Sequence, residues 1–111
     1  MSNLETEKIA KLNDMTRELM PMSGRVFMTN GISSLDPDLT ASILDKVRLF
    51  KDFTEDNDPY GEHDFGSVEE DGIKAFWKID YYGLDMQTGS ENPADPSVTK
   101  RVLTIMLSEE Y

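Results

Sequence analysis

The dipeptide Asp71-Gly72 lies between two runs of β-forming residues, and it constrains the fold more than any other feature of the sequence. An Asp-Gly pair flanked by alternating apolar residues is a strong signal for a two-residue hairpin turn. It predicts one strand over Phe65–Glu70 and a second over Ile73–Tyr82. A short chain with this hairpin at its centre is expected to contain an antiparallel sheet.

The two-residue turn also fixes which residues face each other across the hairpin. Glu69 is expected opposite Lys74, an opposite-charge pair, and Gly66 opposite Trp77, where the glycine leaves room for the indole. Because side chains alternate along a strand, one face of the second strand is predicted to lie on the core. Its members are Ile73, Ala75, Trp77, Ile79 and Tyr81.

The clearest helix signal follows Leu35. Asp36 is a suitable N-cap, Pro37 suits the first helical position, and Asp38 lies where the helix dipole favours a negative charge. An apolar stripe runs through this helix, formed by Leu39, Ile43, Leu44, Val47 and Phe50. Cations lie toward its C-terminal end, at Lys46, Arg48 and Lys51.

Another helix is predicted over about residues 3–20. Ser2 and Glu5 form a capping box at its start, and Pro21 and Gly24 end it. Apolar residues recur at helical spacing along it, at Ile9, Leu12, Met15 and Leu19.

The remaining segments are shorter. A strand is predicted over Arg25–Thr29, followed by a turn at Asn30-Gly31, and residues 83–98 form a long loop. The run Val102–Leu107 is interpreted as a strand, although its apolar residues also fit helical spacing. The order α-β-α-β-β-β predicts a single α+β domain over residues 1–111, with two helices packed on a small, mainly antiparallel sheet of about four strands.

The net charge of −11 arises entirely in the second half of the chain. Residues 1–51 hold seven acids and seven bases, whereas residues 52–111 hold fifteen acids and four bases. Nine acids and no Lys or Arg lie between Asp52 and Asp71. Such a surface repels phosphate backbones, so direct nucleic-acid binding is not expected and a basic protein surface is the expected partner.

The start of the chain has no basic and apolar segment of the secretory type, and no apolar run reaches the ~20 residues of a membrane span. The chain also has no cysteine. We therefore expect a cytoplasmic protein without disulfides and without membrane contact.

The segment from Phe53 to Gly66 concentrates oxygen ligands. Hard cations bind several carboxylates, so the segment offers candidate metal ligands at Asp56, Asp58, Glu62, His63 and Asp64. The EF-hand pattern fails, because counting from Asp56 places Gly61 sixth but Ser67 twelfth, where a Glu is needed. The alternative is a loop whose Asp and Asn side chains bond its own backbone, and we expect no cofactor.

His63 is the only histidine, and it lies between Glu62 and Asp64. This arrangement suggests a general base with an orienting carboxylate. Adjacent residues in an extended segment point in opposite directions, however, and the chain has no second histidine and no cysteine. A structural or surface histidine is therefore the preferred interpretation.

Several blocks of the sequence resemble a known family. They read FTEDNDPYGEHDFGSVE, FWKIDYY and NPADPSVTKRVLTIMLSEEY, preceded by IAKLNDMTR near the start. The chain resembles a family of short bacterial proteins defined only as a domain of unknown function, common in α-proteobacteria and often plasmid-borne. Gly83 departs from the Asp expected there. The resemblance implies a bacterial, cytoplasmic, mobile-element-associated protein, and it implies no catalytic residues.

These features favour a non-enzymatic protein that presents its acidic surface to a basic partner, in the specific form of a DNA-mimic inhibitor of a host defence nuclease of the anti-restriction or anti-CRISPR type. Two aromatic residues, Phe76 and Tyr82, are also expected to contact the partner, because they face away from Trp77 and aromatic residues dominate binding hot spots. The predicted contact residues are therefore Glu55, Asp56, Asp58, Glu62, Asp64, Glu69, Glu70, Asp71, Phe76 and Tyr82. Three alternatives stay open: acidity that serves solubility alone, a divalent-metal module or metal-dependent hydrolase using the Asp56–Asp64 loop, and an antitoxin-like regulatory partner.

Overall fold

The structure, a computed structural model, describes residues 4–20, 22 and 25–111. The helices are α1 (Leu4–Glu18), the one-turn α2 (Asn30–Ser33) and α3 (Pro37–Arg48). The strands are β1 (Arg25–Met28), β2 (Phe65–Glu70), β3 (Ile73–Tyr82) and β4 (Lys100–Leu107), followed by a 3-10 turn at Ser108–Glu110. This arrangement confirms the predicted α+β class.

The central hairpin forms as the Asp-Gly turn predicts. Gly66 pairs with Trp77 and Glu69 pairs with Lys74. Asp71 and the glycine after it both have positive φ, 54° and 79°, as a type I′ turn requires. The register of β2 and β3 is therefore confirmed residue by residue.

The sheet has the order β1-β4-β3-β2, with β4 antiparallel to β3 and parallel to β1. It is thus mainly antiparallel, as expected. The C-terminal segment is a strand and not the competing helix, because it lies between two strands that both need its backbone groups.

The turn predicted at Asn30-Gly31 is instead the helical turn α2, so that prediction was wrong in detail. The N–H groups of Ser33 and Ser34 bond to the carbonyls of Thr29 and Asn30 at 2.9 Å. Burial of Ile32, which has no exposed surface, favours this turn because it places the side chain in the core.

The start of α3 follows its sequence signals. The Asp36 carboxylate accepts the N–H of Asp38 at 2.9 Å, and Pro37 occupies the first turn. At α1, the predicted capping residue Ser2 and the predicted stops Pro21 and Gly24 lie outside the described residues.

The core lies between the helices and one face of the sheet. Trp77 is fully buried at its centre, and the helices contribute Ile32, Ile43 and Val47. The predicted core face of β3 is confirmed, with Ala75, Trp77 and Ile79 buried and Ile73 and Tyr81 partly buried against the cluster.

The other face of the sheet holds Phe76 and Tyr82, which pair with Met106 and Lys100 on β4. The ring of Phe76 lies 5.3 Å from those of Phe65 and Tyr111, measured between centroids.

Among the described residues, no helix is both long and apolar enough to cross a membrane.

Gly66→Ala tests the fit between the hairpin strands. An added Cβ would lie 2.5 Å from Trp77 Nε1, so we expect the free energy of unfolding to fall by about 1–3 kcal/mol. The measurement is urea unfolding followed by the fluorescence of the single tryptophan. Gly83→Ala is the control, since its nearest contact would be 3.5 Å. Equal stability of the two variants would contradict the register.

Candidate functional site

The loop between α3 and β2, called here the acidic loop (residues 52–64), is fixed to α1 through His63. The imidazole Nδ1 of His63 lies 2.9 Å from Asp14 Oδ1. The backbone N–H of His63 donates to both carboxylate oxygens of the buried Asp58, at 3.2 and 3.3 Å. The backbone of His63 is in the left-handed region, with φ of 57°. The carboxylate that orients this histidine therefore comes from α1, and neither Glu62 nor Asp64 supplies it.

The surroundings of the His63 ring favour a structural role. The ring stacks on Phe53, with centroids 3.8 Å apart and planes inclined by 2°. Its Nε2 lies 3.7 Å from Asp58 Oδ2, so both ring nitrogens face carboxylates. A general base needs one nitrogen open toward a substrate. This geometry agrees with the structural histidine preferred from the sequence.

Arg17 lies beneath this contact and is 1% exposed. Its Nη1 donates to the carbonyls of Val47 and Phe50 at 3.1 and 3.0 Å, where α3 ends. Its Nη2 donates to Asp14. The guanidinium also lies over the Trp77 ring, 4.8 Å from its centroid. One side chain therefore joins α1, the end of α3 and the sheet.

A second polar cluster joins the loop to the sheet. Asn13 Nδ2 donates to the carbonyl of Glu62 at 2.9 Å and to the hydroxyl of Tyr81 at 2.8 Å. That hydroxyl donates to Glu62 Oε1 at 2.9 Å, and Arg101 Nε donates to Asn13 Oδ1 at 2.7 Å. Burial raises the pKa of Tyr81 well above its ordinary value, and the Glu62 carboxylate adds to the rise. Glu62 therefore acts as a hydrogen-bond acceptor inside the protein.

The surroundings of Asp64 disfavour the charged form of its carboxyl group. Burial raises the pKa of its carboxyl group, and the nearby charges of Glu62, Asp58 and Asp80 raise it further. Within the described chain no cation lies at ion-pair distance from this carboxylate. Ionisation of Asp64 therefore carries a cost to the folded state.

The acids predicted to contact a partner fall into two groups. Glu55, Asp56, Glu69 and Asp71 are exposed. Asp58 and Glu62 bond within the protein, Glu70 pairs with Lys46 at 2.8 Å, and Asp64 is half-buried. Contact of all eight acids with a partner stays a prediction. Only the exposed group, Glu55, Asp56, Glu69 and Asp71, has its charge fully in solvent.

The candidate metal ligands are not assembled into a site. Among the described residues, no group of three or more His, Asp or Glu side chains is arranged to hold a metal ion. Instead, Asp58, Glu62 and His63 each bond to other groups of the protein.

Sequence reasoning missed the residues of α1 that hold the loop, namely Asn13, Asp14 and Arg17. A signal for two of them was present, since Asn13 and Arg17 share a helical face with Ile9 and Met20, both buried. A polar residue on the buried face of a helix needs a partner. The identity of that partner, 49 positions away for both Asn13–Glu62 and Asp14–His63, is not encoded locally.

Asp64→Asn tests the cost of the half-buried carboxylate. Since the folded-state pKa lies above the ordinary 3.8, protonated Asp64 favours the folded state at low pH, and this contribution is lost as the pH rises through the folded-state pKa. We expect the variant to have a higher urea midpoint at pH 7 and no advantage well below pH 3.8. Asp56→Asn, at an exposed position, is the control. A lower midpoint at pH 7 would contradict this account of Asp64.

Comparison with known proteins places the chain in a family. A family model described as "Protein of unknown function (DUF3768)" matches residues 28–110. No curated protein and no solved structure shows significant similarity to the chain. The match covers the chain from the end of β1 through the C-terminal 3-10 turn, which includes the acidic loop and the hairpin. It confirms the expected relation to a domain of unknown function, and the chain belongs to the DUF3768 family.

Proposed function

We propose that this protein is a non-enzymatic binding protein whose acidic loop contacts a basic surface on a partner protein. The observation that carries the proposal is the outward cluster of Asp52, Glu55 and Asp56, three exposed carboxylates within five residues. Charges in solvent on a well-defined surface accelerate association with a surface of opposite sign.

The outer part of the acidic loop is also held in shape. Asn57 Oδ1 accepts the N–H of Thr54 at 2.8 Å, and Thr54 Oγ1 accepts the N–H of Asn57 at 3.2 Å. Asn57 Nδ2 donates to the carbonyl of Asp52 at 2.7 Å. Because the loop is ordered before binding, a partner does not bear the full entropy cost of ordering it.

The inner acids support this surface. Glu62 bonds to Asn13 on α1 and to Tyr81 on β3, and Asp58 accepts the N–H of His63 within the loop. The segment therefore has a bonded inner side and a charged outer side. Solubility alone requires dispersed charge and no fixed loop. The combination of fixed backbone and exposed carboxylates therefore favours recognition.

The specific form that we propose is mimicry of nucleic acid. Carboxylates on a fixed scaffold can occupy the phosphate sites of a basic nucleic-acid-binding effector, such as a host defence nuclease. A bacterial, plasmid-associated and cytoplasmic setting suits an inhibitor of the anti-restriction or anti-CRISPR type. No active-site chemistry is part of the proposal.

A second candidate is an antitoxin-like regulatory partner that docks through the sheet face opposite Trp77. The aromatic cluster of Phe65, Phe76 and Tyr111 favours it, since aromatic residues dominate binding hot spots. Tyr82 lies on the same face and is half-exposed. Loss of binding in Phe76→Ala without any salt dependence would select this candidate over the first.

Neutralising the outer acids tests the proposal. The triple variant Asp52→Asn, Glu55→Gln, Asp56→Asn should no longer retain a basic nucleic-acid-binding protein from a native bacterial lysate at low salt. With the purified partner, its association rate should fall by about tenfold or more, and wild-type affinity should decrease with salt.

The control removes the same charge elsewhere, through Glu18→Gln, Glu91→Gln and Glu109→Gln, all exposed. It should retain the partner nearly as well as the wild type. Equal binding by the two triple variants, or a wild-type affinity that does not change with salt, would overturn the proposal.

A further inference from the structure

Helix α1 leaves part of its apolar surface uncovered. Met15 and Leu19 are 45% and 55% exposed, although they continue the helical spacing of Leu12. The inward face of the helix is used instead by Asn13 and Arg17, which bond to the loop and to the end of α3. The apolar stripe predicted from the sequence thus lies only partly in the core.

This stripe forms one wall of a groove, called here the α1 groove. Two adjoining cavities of about 360 and 240 Å³ lie along it. Both are lined by Leu12, Met15 and Pro96, and the second wall is completed by Ala94 and Thr99 from the segment before β4. The groove runs along α1 and is open to solvent.

Its charge is opposite to that of the protein as a whole. Five of the eleven Lys and Arg residues line it, whereas the molecule carries a net charge of −11. They are Lys8, Lys11, Arg25, Lys100 and Arg101. No acidic side chain from the described residues lines either cavity.

Most of these cations are available to a ligand. Arg101 is occupied by Asn13 and by the carbonyl of Pro93. Within residues 4–20, 22 and 25–111, the other four form no ion pair. Lys8 also acts at longer range on Asp95, whose pKa is lowered mainly by hydrogen bonds from Ser97.

We propose that the α1 groove binds an acidic amphipathic helix of a partner protein. The exposed apolar stripe of α1 marks an interaction site, and a partner helix with its own apolar stripe can pack along it. From Lys8 to Leu19 the wall is about 16 Å long, at ~1.5 Å per residue, which matches about three turns of a docked helix. Lys8 and Lys11 at one end, and Arg25 and Lys100 at the other, complement carboxylates that flank the stripe.

Other occupants fit less well. A small amphiphile needs a site that buries most of its surface, whereas this groove is open along its length. A nucleic acid would meet an apolar floor and the repulsion of the net charge. The proposal does not depend on the acidic loop, because it concerns another surface and the opposite charge.

The probe is a synthetic, dye-labelled peptide of about three to four helical turns, with leucines spaced three and four apart and glutamates elsewhere. Binding is measured by fluorescence anisotropy, and the contact surface is mapped on the wild-type protein by NMR chemical-shift changes. We expect saturable binding, with shift changes at α1 and at residues 94–101. A peptide of the same composition with scattered leucines should bind at least about tenfold more weakly.

Protein variants locate the site by charge. Lys11→Glu with Lys100→Glu should weaken peptide binding by about tenfold or more. The matched control Lys51→Glu with Lys74→Glu, both exposed and outside the groove, should leave it nearly unchanged. Urea unfolding verifies that both variants are folded, and the NMR map on the wild type does not depend on them.

Three outcomes would overturn the proposal. They are absence of peptide binding at millimolar concentration, equal binding of the scattered peptide, and shift changes that lie outside the groove. Dodecanoate binding in the groove without peptide binding would also overturn it, because it would assign the site to a small anionic amphiphile.

Discussion

The buried guanidinium of Arg17 connects α1, the end of α3, the acidic loop and the sheet. Transfer of an isolated charge into a protein interior costs several kcal/mol unless it is paired and bonded. Within the described residues, both terminal nitrogens of Arg17 donate hydrogen bonds, and its buried Nε has no partner. Here Asp14 and the carbonyls of Val47 and Phe50 accept from it, while the rings of Phe53 and Trp77 lie against its faces. Because these partners come from α1, α3, the loop and β3, the position of each depends on the others.

This arrangement explains why the acids of the second half do not form one uniform surface. Asp14 is shared between Arg17 and His63, which fixes the inner side of the loop to α1. The carboxylates of Asp58 and Glu62 then bond inside the protein, and those of Glu55 and Asp56 are left in solvent. Because Asn13 and Arg17 occupy the inward face of α1, Met15 and Leu19 are left exposed. One internal constraint thus produces both an acidic outer loop and a basic, apolar groove.

The features that could be predicted from the sequence are those encoded within a few residues. Asp71-Gly72 sets the register that places Gly66 under Trp77, and Asp36-Pro37 sets the start of α3. The turn signal at Asn30-Gly31 was misleading, because it does not reveal that Ile32 will be buried. The partner of His63 could not be predicted, since Asp14 is distant in sequence and contacts the imidazole only after α1 packs on the loop. Of the candidate site, composition revealed the acidic loop but not which carboxylates stay exposed.

Urea unfolding of Arg17→Lys and Arg48→Lys, followed by the fluorescence of Trp77, tests the role of Arg17. Lysine keeps the positive charge but loses the planar fork that reaches two carbonyls and a carboxylate together. Arg48 forms a surface pair with Asp45, so its replacement should change stability by less than about 0.5 kcal/mol. We expect Arg17→Lys to lower the free energy of unfolding by about 2 kcal/mol or more. Equal stability of the two variants would contradict the central role of Arg17.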